Sequence, residues 1–445
     1  MRGRLMIDRD VLDDSIVASY SNKAANFRFR SCDLRIPLSH GLFSSSDIDS
    51  GTRLLLKSVS DHLDELLVTG APLPTHILDA GCGTGVVALS LAAALLAEGE
   101  QGVTVRAQDR DELARAFTAA AARANELPEG SLLARCEPLL SRDGDETFDL
   151  IVSNLPAKAG PSVLRDFFRK SAFMLSPDGF CIVVIVNPLA ADAREWLGKE
   201  GNSVIRETKG KGHTVFRYGP VPGSAAGGAV DPLSADSPYR RVQGRFELLS
   251  DEYGIEAIHG ARGFDERGRE KTVAARLLEK CGLDAILGRA APIRVLVFAN
   301  DQGHFSAWLA AAAVRRSLRA PLFTLLSRNI LSLSACSYNV RVASGQTPER
   351  TLLAADFGFA PQAFDGSPVP WDLVVVFPEI VPLHEWTAAS WSAAARLVRV
   401  GGLFVLAASS SDSERFDRVK TGPFDRAGEL KRDGFKALAY RRAER

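Results

Sequence analysis

Five pairs of short segments recur along the 445-residue chain at a nearly constant separation, and this repeat constrains the fold more than any other feature. HILDAGCGTG (76–85) stands 218 residues before RVLVFANDQG (294–303), and VTVRAQDRDEL (103–113) precedes PLFTLLSRNIL (321–331) by the same interval. IPLSHGLF (36–43) precedes IEAIHGAR (255–262) by 219 residues. FDLIVSNLP (148–156) and SPDGFCIVVIV (176–186) precede WDLVVVFPE (371–379) and RVGGLFVLAAS (399–409) by 223. Spacing this regular marks a duplicated unit. Between the copies, YGPVPGSAAGGAVDPLSADSP (218–238) is rich in Gly, Pro, Ala and Ser and lacks periodicity, so it reads as a flexible linker. The expected organisation is a domain over 1–218, a linker over 219–238 and a second domain over 239–445, each large enough for its own core.

Within the first copy, short apolar runs alternate with helical patterns. Strands are expected near 76–80, 103–108, 131–136, 148–153 and 179–186, and helices near 85–98, 110–125 and 161–175. Continuous apolar strands alternating with helices predict an α/β fold, doubly wound around a mostly parallel sheet. The repeat predicts two such domains in tandem.

The charge balance bounds the partners. Formal net charge is +0, so no global positive field draws in nucleic acid, and any such binding must come from a local patch. The N-terminal sequence has no apolar stretch of signal-peptide length, and no apolar run approaches a membrane span. Cysteines 32, 82, 136, 181, 281 and 336 are scattered, with no CxxC pair, and the seven histidines are equally dispersed. No metal site is expected, and a reduced cytoplasm is the simplest setting.

The chemistry concentrates in Asp79-Ala80-Gly81-Cys82-Gly83-Thr84-Gly85, a glycine-rich turn between a strand and a helix. Glycine lets a ligand approach the main chain, and the helix start offers free N–H groups. An acidic residue at the strand end suits a cationic ligand better than a phosphate. Asp109, 24 residues beyond Gly85, ends the next strand and can accept hydrogen bonds from ribose hydroxyls. A nucleoside bearing a cationic amino acid satisfies both carboxylates, which describes S-adenosylmethionine. Its expected binding set is Asp79, Gly81, Cys82, Gly83, Gly85, Asp109 and Asn154. Cys82 is a filler of the loop, with no sign of a reactive thiol.

LDAGCGTG resembles motif I of class I S-adenosylmethionine-dependent methyltransferases, and FDLIVSNLPAKAG resembles their motif IV. HGLFSSSDIDSGTRLLLKSV (40–59) and ETKGKGHTVFRY (207–218) resemble the lead-in and closing strands of the methyltransferase small-domain family. The resemblance covers about 33–218 and implies a Rossmann-like methyltransferase domain. That family includes tandem ribosomal RNA guanine-N2 methyltransferases with one active and one degenerate domain. Their active domain is the C-terminal one, whereas here the intact motifs lie in the first half.

The resemblance places the transfer site at Asn154, Leu155 and Pro156. An amide oxygen and a main-chain carbonyl there can accept hydrogen bonds from an amino group, and proline stiffens the loop. Leu155 stands where proline is usual. Ala157 stands where an aromatic ring usually stacks on the target base, a platform worth roughly 1–3 kcal/mol. Ala157, Lys158 and Phe43 are the expected substrate contacts. Lys158 meets a phosphate or is simply solvated. Phe43 caps adenine or target, or else lies in the core. The resemblance implies RNA as the leading substrate, with ribosomal guanine N2 as the specific target. A protein side chain, a small molecule, or a cofactor-binding assembly role without turnover are the alternatives. Oligomeric state is undetermined, and the two domains could pair within one chain.

The second copy is expected to be degenerate. Asp79, Gly81, Gly83, Asp109, Asn154 and Pro156 correspond to Val297, Ala299, Asp301, Ser327, Phe377 and Glu379, and only Gly85 persists, as Gly303. Asp301, Gln302 and His304 leave open a different ligand site in the altered loop. KAANFRFRSCDLR (23–35) reads either as a single-strand groove or as an amphipathic edge strand, and KALAYRRAER as an RNA contact or a solvated tail.

Overall fold

A computed structural model of the protein describes residues 9–199, 201, 204–221, 232–234, 236–263, 266–364 and 369–444. The chain divides into two compact units, Arg9–Asp231 with Val381–Leu383, and Pro232–Ile380 with His384–Arg445. The division falls inside the expected linker, most of which lies outside the described residues.

The first unit runs α1 (Arg9–Tyr20), β1 (Lys23–Phe29), β2 (Cys32–Leu38), α2 (Ser50–Thr69), β3 (His76–Ala80), α3 (Val86–Ala97), β4 (Thr104–Asp109), α4 (Glu112–Ala124), β5 (Leu132–Cys136), β6 (Phe148–Asn154), α5 (Pro161–Phe173), β7 (Leu175–Val186), α6 (Ala190–Lys199), β8 (Val204–Lys209) and β9 (His213–Tyr218). Its main sheet has the order β5-β4-β3-β6-β7-β9-β8, with only the β7–β9 and β8–β9 pairs antiparallel. The order reverses at β3, so the crevice beyond the carboxyl ends of β3, β4 and β6 is where a ligand is expected. Helix α3 is Ala- and Leu-rich and buried from Val86 to Leu95. It can be apolar all round because strand β2 of the hairpin and helix α4 pack against it in addition to the sheet.

That hairpin is an amphipathic cover. Phe29, Leu34, Ile36 and Leu38 enter the core, while Arg30 is bonded to Asp64 (2.7 Å) and Glu98 (3.0 Å). Helix α1 is tied to α4 by the buried guanidinium of Arg115, which donates to both carboxylate oxygens of Asp13.

The second unit runs β10 (Arg240–Leu248), β11 (Asp251–Ile258), α7 (Arg269–Lys280), α8 (Leu283–Leu287), β12 (Arg294–Phe298), α9 (His304–Arg315), β13 (Leu322–Ser327), α10 (Ile330–Ser344), β14 (Arg350–Leu353), β15 (Trp371–Val376), α11 (Thr387–Leu397), β16 (Val398–Ser409), α12 (Ser410–Arg418), β17 (Phe424–Arg432) and β18 (Phe435–Arg442). Its sheet order, β14-β13-β12-β15-β16-β18-β17, repeats that of the first unit strand for strand. A hairpin, β10–β11, precedes α7 as β1–β2 precedes α2. The basic C-terminal segment is no solvated tail. It is β18, with Ala437 to Tyr440 buried beside β16.

Candidate active site

The turn after β3 is shaped by backbone strain that only glycine relieves. Gly81 and Gly83 have φ of 83° and 56°, in the left-handed region. The N–H groups of Gly81 and Cys82 donate to the Gln108 carbonyl (2.8 and 3.0 Å), which ties the turn to the end of β4. The Gln108 side chain, fully buried, donates in turn to the carbonyls of Pro138 (3.1 Å) and Leu139 (2.9 Å), fixing the loop after β5. Asp109 clamps the turn from the side. Its Oδ2 accepts from Gly83 N (3.1 Å) and its Oδ1 from Asp111 N (3.1 Å). Cys82 is buried, with Sγ 3.4 Å from Thr118 Oγ1, and burial pushes its thiol well above the ordinary range. Only its main chain can serve the turn.

Asp79 is 1% exposed, and its Oδ2 accepts from Ala88 N (2.9 Å) in the first turn of α3. Burial pushes its pKa up to about 7. The Ala88 N–H works against that shift, and the nearby Asp109 charge adds to it. Among the described residues its carboxylate has no cationic partner. A buried acid whose charged neighbour is another acid is suited to a cation supplied from outside. The residues present thus fit the amino-acid end of S-adenosylmethionine.

Asn154 ends β6, one strand from Asp79. Asp79 is paired in register with Val152, and Ser153 Oγ donates to the Ala80 carbonyl (2.6 Å). The Asn154 amide nitrogen donates to Thr52 Oγ1 (3.0 Å) and approaches Asp49 Oδ1 and Oδ2 (3.3 and 3.4 Å). Asp49 and Thr52 belong to the start of α2, more than a hundred residues away, and were not expected from the sequence as partners of Asn154. Their one visible signal was the helix-capping pattern DIDSGT. Leu155 is buried, and its N–H donates to Val184 O (3.0 Å). Pro156, Ala157 and Lys158 are exposed, on a short turn closed by Ala159 N to Pro156 O (2.9 Å). Phe43 is 72% exposed, which removes the core reading for that ring.

The second unit keeps the scaffold and loses this chemistry. Val297 is buried where Asp79 stands, and neither Ala299 nor Asp301 has a left-handed backbone. Gly303 persists because a Cβ there would meet Cys336 at 2.6 Å, as one on Gly85 would meet Thr118 at 2.8 Å. That glycine serves the packing of two helices in both units. Asp301 is occupied from within, since Lys271 Nζ lies 3.0 Å from its Oδ2 and 2.6 Å from Glu270. The same ammonium sits 5.0 Å from the centre of the Phe377 ring. Gln302 is bonded to main chain at Ile258 and Ala261, and His304 to Tyr253 and Gly263. Gln302 and His304 are therefore satisfied internally, and Asp301 is paired with Lys271. A cavity of about 290 Å³ remains beside Lys271, Asn300 and Phe377.

Residues 33–217 match the methyltransferase small-domain family. The uncharacterised protein YbxB of Bacillus subtilis is 32% identical over 195 residues, which take in 43% of this chain and 89% of that protein. Ribosomal RNA small subunit methyltransferase C of Chromohalobacter salexigens is 32% identical over 170 residues, 37% of this chain but only 45% of that relative. The T. thermophilus 16S rRNA N2 G methyltransferase RsmC, solved with AdoMet and guanosine, superposes over 96% of this chain and 99% of its own. Its TM-score is 0.57 at 17% identity, so the tandem fold is shared across both units. Among the described residues no helix is long and apolar enough to cross a membrane. The chain belongs to the methyltransferase small-domain family and is an S-adenosylmethionine-dependent methyltransferase.

Proposed function

We propose that the first unit transfers a methyl group to a nitrogen of ribosomal RNA in the cytoplasm, with the exocyclic N2 of guanine as the target. The observation that carries this reading is the orientation of Asn154. Its amide nitrogen is committed to Thr52 and Asp49, so its oxygen is left to accept from an amino group. A nitrogen whose hydrogens are held by Asn154 Oδ1 and the Leu155 carbonyl has its lone pair directed away from them. Bound S-adenosylmethionine would supply a sulfonium methyl, and its transfer to that lone pair would form the N–C bond as the C–S bond breaks, leaving a neutral thioether while the nitrogen releases one proton. The protein contributes position and orientation. Asp79 holds the cationic end, Gly81, Gly83 and Gly85 shape the turn around it, and Asp109 receives the ribose hydroxyls. Ribosomal RNA is favoured by the name of the Chromohalobacter relative. With Ala157 in place of an aromatic, the exposed Phe43 ring is the available stacking surface for a base. In this reading Lys158, also exposed, meets a phosphate of the substrate.

Transfer of methyl label tests the substrate. The protein is incubated with methyl-labelled cofactor and total RNA, or total protein, from a strain lacking it. Label is expected in ribosomal RNA, at guanine N2, and lost with Asn154→Ala. Label in protein instead would move the target to a side-chain nitrogen.

Asp79 predicts a pH dependence. Its pKa is raised by burial, so a cationic ligand must displace a proton below about 7. Affinity should therefore rise by up to about tenfold per pH unit from about pH 5.5 and level off above about pH 7. Calorimetric titration at several pH values measures this, and Asp79→Asn should bind weakly with no such slope. The same shift opposes folding. Between its unfolded value and about 7 the folded chain holds the proton more tightly, so this contribution to stability falls as pH rises.

A further inference from the structure

We propose that Thr52 and Asp49 are positioning residues for methyl transfer, fixing which atom of the Asn154 amide faces the target nitrogen. The inference rests on the role of Asn154 proposed above and extends it to residues more than a hundred positions away. It follows from the polarity of a short hydrogen-bond chain. The Thr52 hydroxyl has one proton, and donates it to Asp49 Oδ2 at 2.6 Å. Toward Asn154 that hydroxyl is therefore an acceptor, and only the NH2 side of the amide can meet it, at 3.0 Å. Asp49 accepts as well, at 3.3 and 3.4 Å. A flipped amide would set its oxygen against three acceptor oxygens.

Asp49 is itself held in the ionised, acceptor-only form. Burial pushes its carboxyl up, but hydrogen bonds from the Thr52 side chain and main chain, Ser44 and Gly51 outweigh this and hold it below the ordinary range. Gly51 permits the approach, since a Cβ there would lie 2.9 Å from Asp49 Oδ1 and 3.0 Å from the His213 ring. Ser44, which donates to Asp49 at 3.0 Å, follows the exposed Phe43 in the chain. The network thus links Asn154 to the loop that carries Phe43.

Capping a helix is a sufficient reason for an aspartate at position 49, but the second unit argues that capping is not the whole role. There α7 begins 219 residues after α2, at the corresponding position, with Gly268 as N-cap and no side-chain cap. Asp49, Thr52 and Asn154 correspond to Gly268, Lys271 and Phe377. The fold forms a helix here without the network, and all three members are absent where Asn154 is absent.

The test compares Thr52→Val, which removes the hydroxyl at nearly constant shape, with Thr52→Ser, which keeps it. Asn154→Ala serves as reference, and total RNA from a strain lacking the protein is the substrate. Thr52→Val is expected to lower kcat about 10- to 100-fold, with KM and cofactor Kd unchanged, and Thr52→Ser to restore most of it. Independently of turnover, the Asn154 side-chain amide NMR signal, identified by its loss in Asn154→Ala, should be one pair of proton resonances on a single nitrogen in the wild type. In Thr52→Val it should be doubled or broadened. Wild-type kcat in Thr52→Val, with Asn154→Ala inactive, would overturn this inference alone. So would a Thr52→Ser variant as impaired as Thr52→Val. Full activity in Asn154→Ala would overturn both the inference and the proposed role of Asn154.

Discussion

Asn154→Ala is expected to lower methyl transfer by about 100-fold or more while leaving cofactor affinity within about twofold. The amide sits at the end of β6 with its nitrogen already satisfied by Thr52 and Asp49, so truncation removes the outward-facing acceptor and little else. The exocyclic nitrogen of guanine shares its lone pair with the ring, so the hydrogens must be held for that lone pair to be presented to the methyl. Holding its hydrogens fixes the attack line, and misplacement on the order of 1 Å is enough to cost about 100-fold. The cofactor turn is built from β3, β4 and the start of α3, and its hydrogen bonds do not pass through Asn154. Single-turnover rates and calorimetric Kd values separate the two effects. Rate and affinity falling together would place Asn154 in cofactor binding instead.

The second large effect concerns Asp79, where binding and stability should move in opposite directions. Asp79→Asn is expected to weaken cofactor affinity by about 30-fold or more, the loss of a buried charge pair. In the cofactor-free protein the same substitution removes a buried acid that has no cationic partner among the described residues. An asparagine oxygen can still accept from Ala88 N. Thermal stability without cofactor should therefore be unchanged or higher at neutral pH. A variant that lost affinity through misfolding would lose both.

Much of this site is local in sequence. The strand, turn and helix from His76 to Ala97 are continuous, and the glycines and Asp79 act within that stretch, so pattern alone locates them. The expected strands and helices of the first copy fall within a few residues of β3 to β7 and α3 to α5. What escaped is what depends on distant partners. Helix α1 is weakly amphipathic and is secured by Arg115 from α4, so it carries no strong periodic signal. The C-terminal strand β18 has arginines at its end that masked its buried centre. Thr52 and Asp49 looked like ordinary helix-start residues because their contact with Asn154 exists only after folding. Lys271 lies on a charged helix, and nothing in RGREKTV announces that its ammonium is buried against Asp301.

The second unit keeps its fold through its apolar cores, and that ion pair gives its altered loop an internal cation. In the first unit Asp79 has no cationic partner among the described residues, whereas in the second Lys271 is a cation built into the chain beside Asp301. We accordingly expect one cofactor site per chain, in the first unit. Calorimetric titration of the full chain with S-adenosylmethionine tests this most directly. A stoichiometry of one per chain in the wild type, abolished or greatly weakened by Asp79→Asn and unaffected by Asp301→Asn, is the predicted result. Two sites per chain, or a single site that survives Asp79→Asn and disappears with Asp301→Asn, would contradict it.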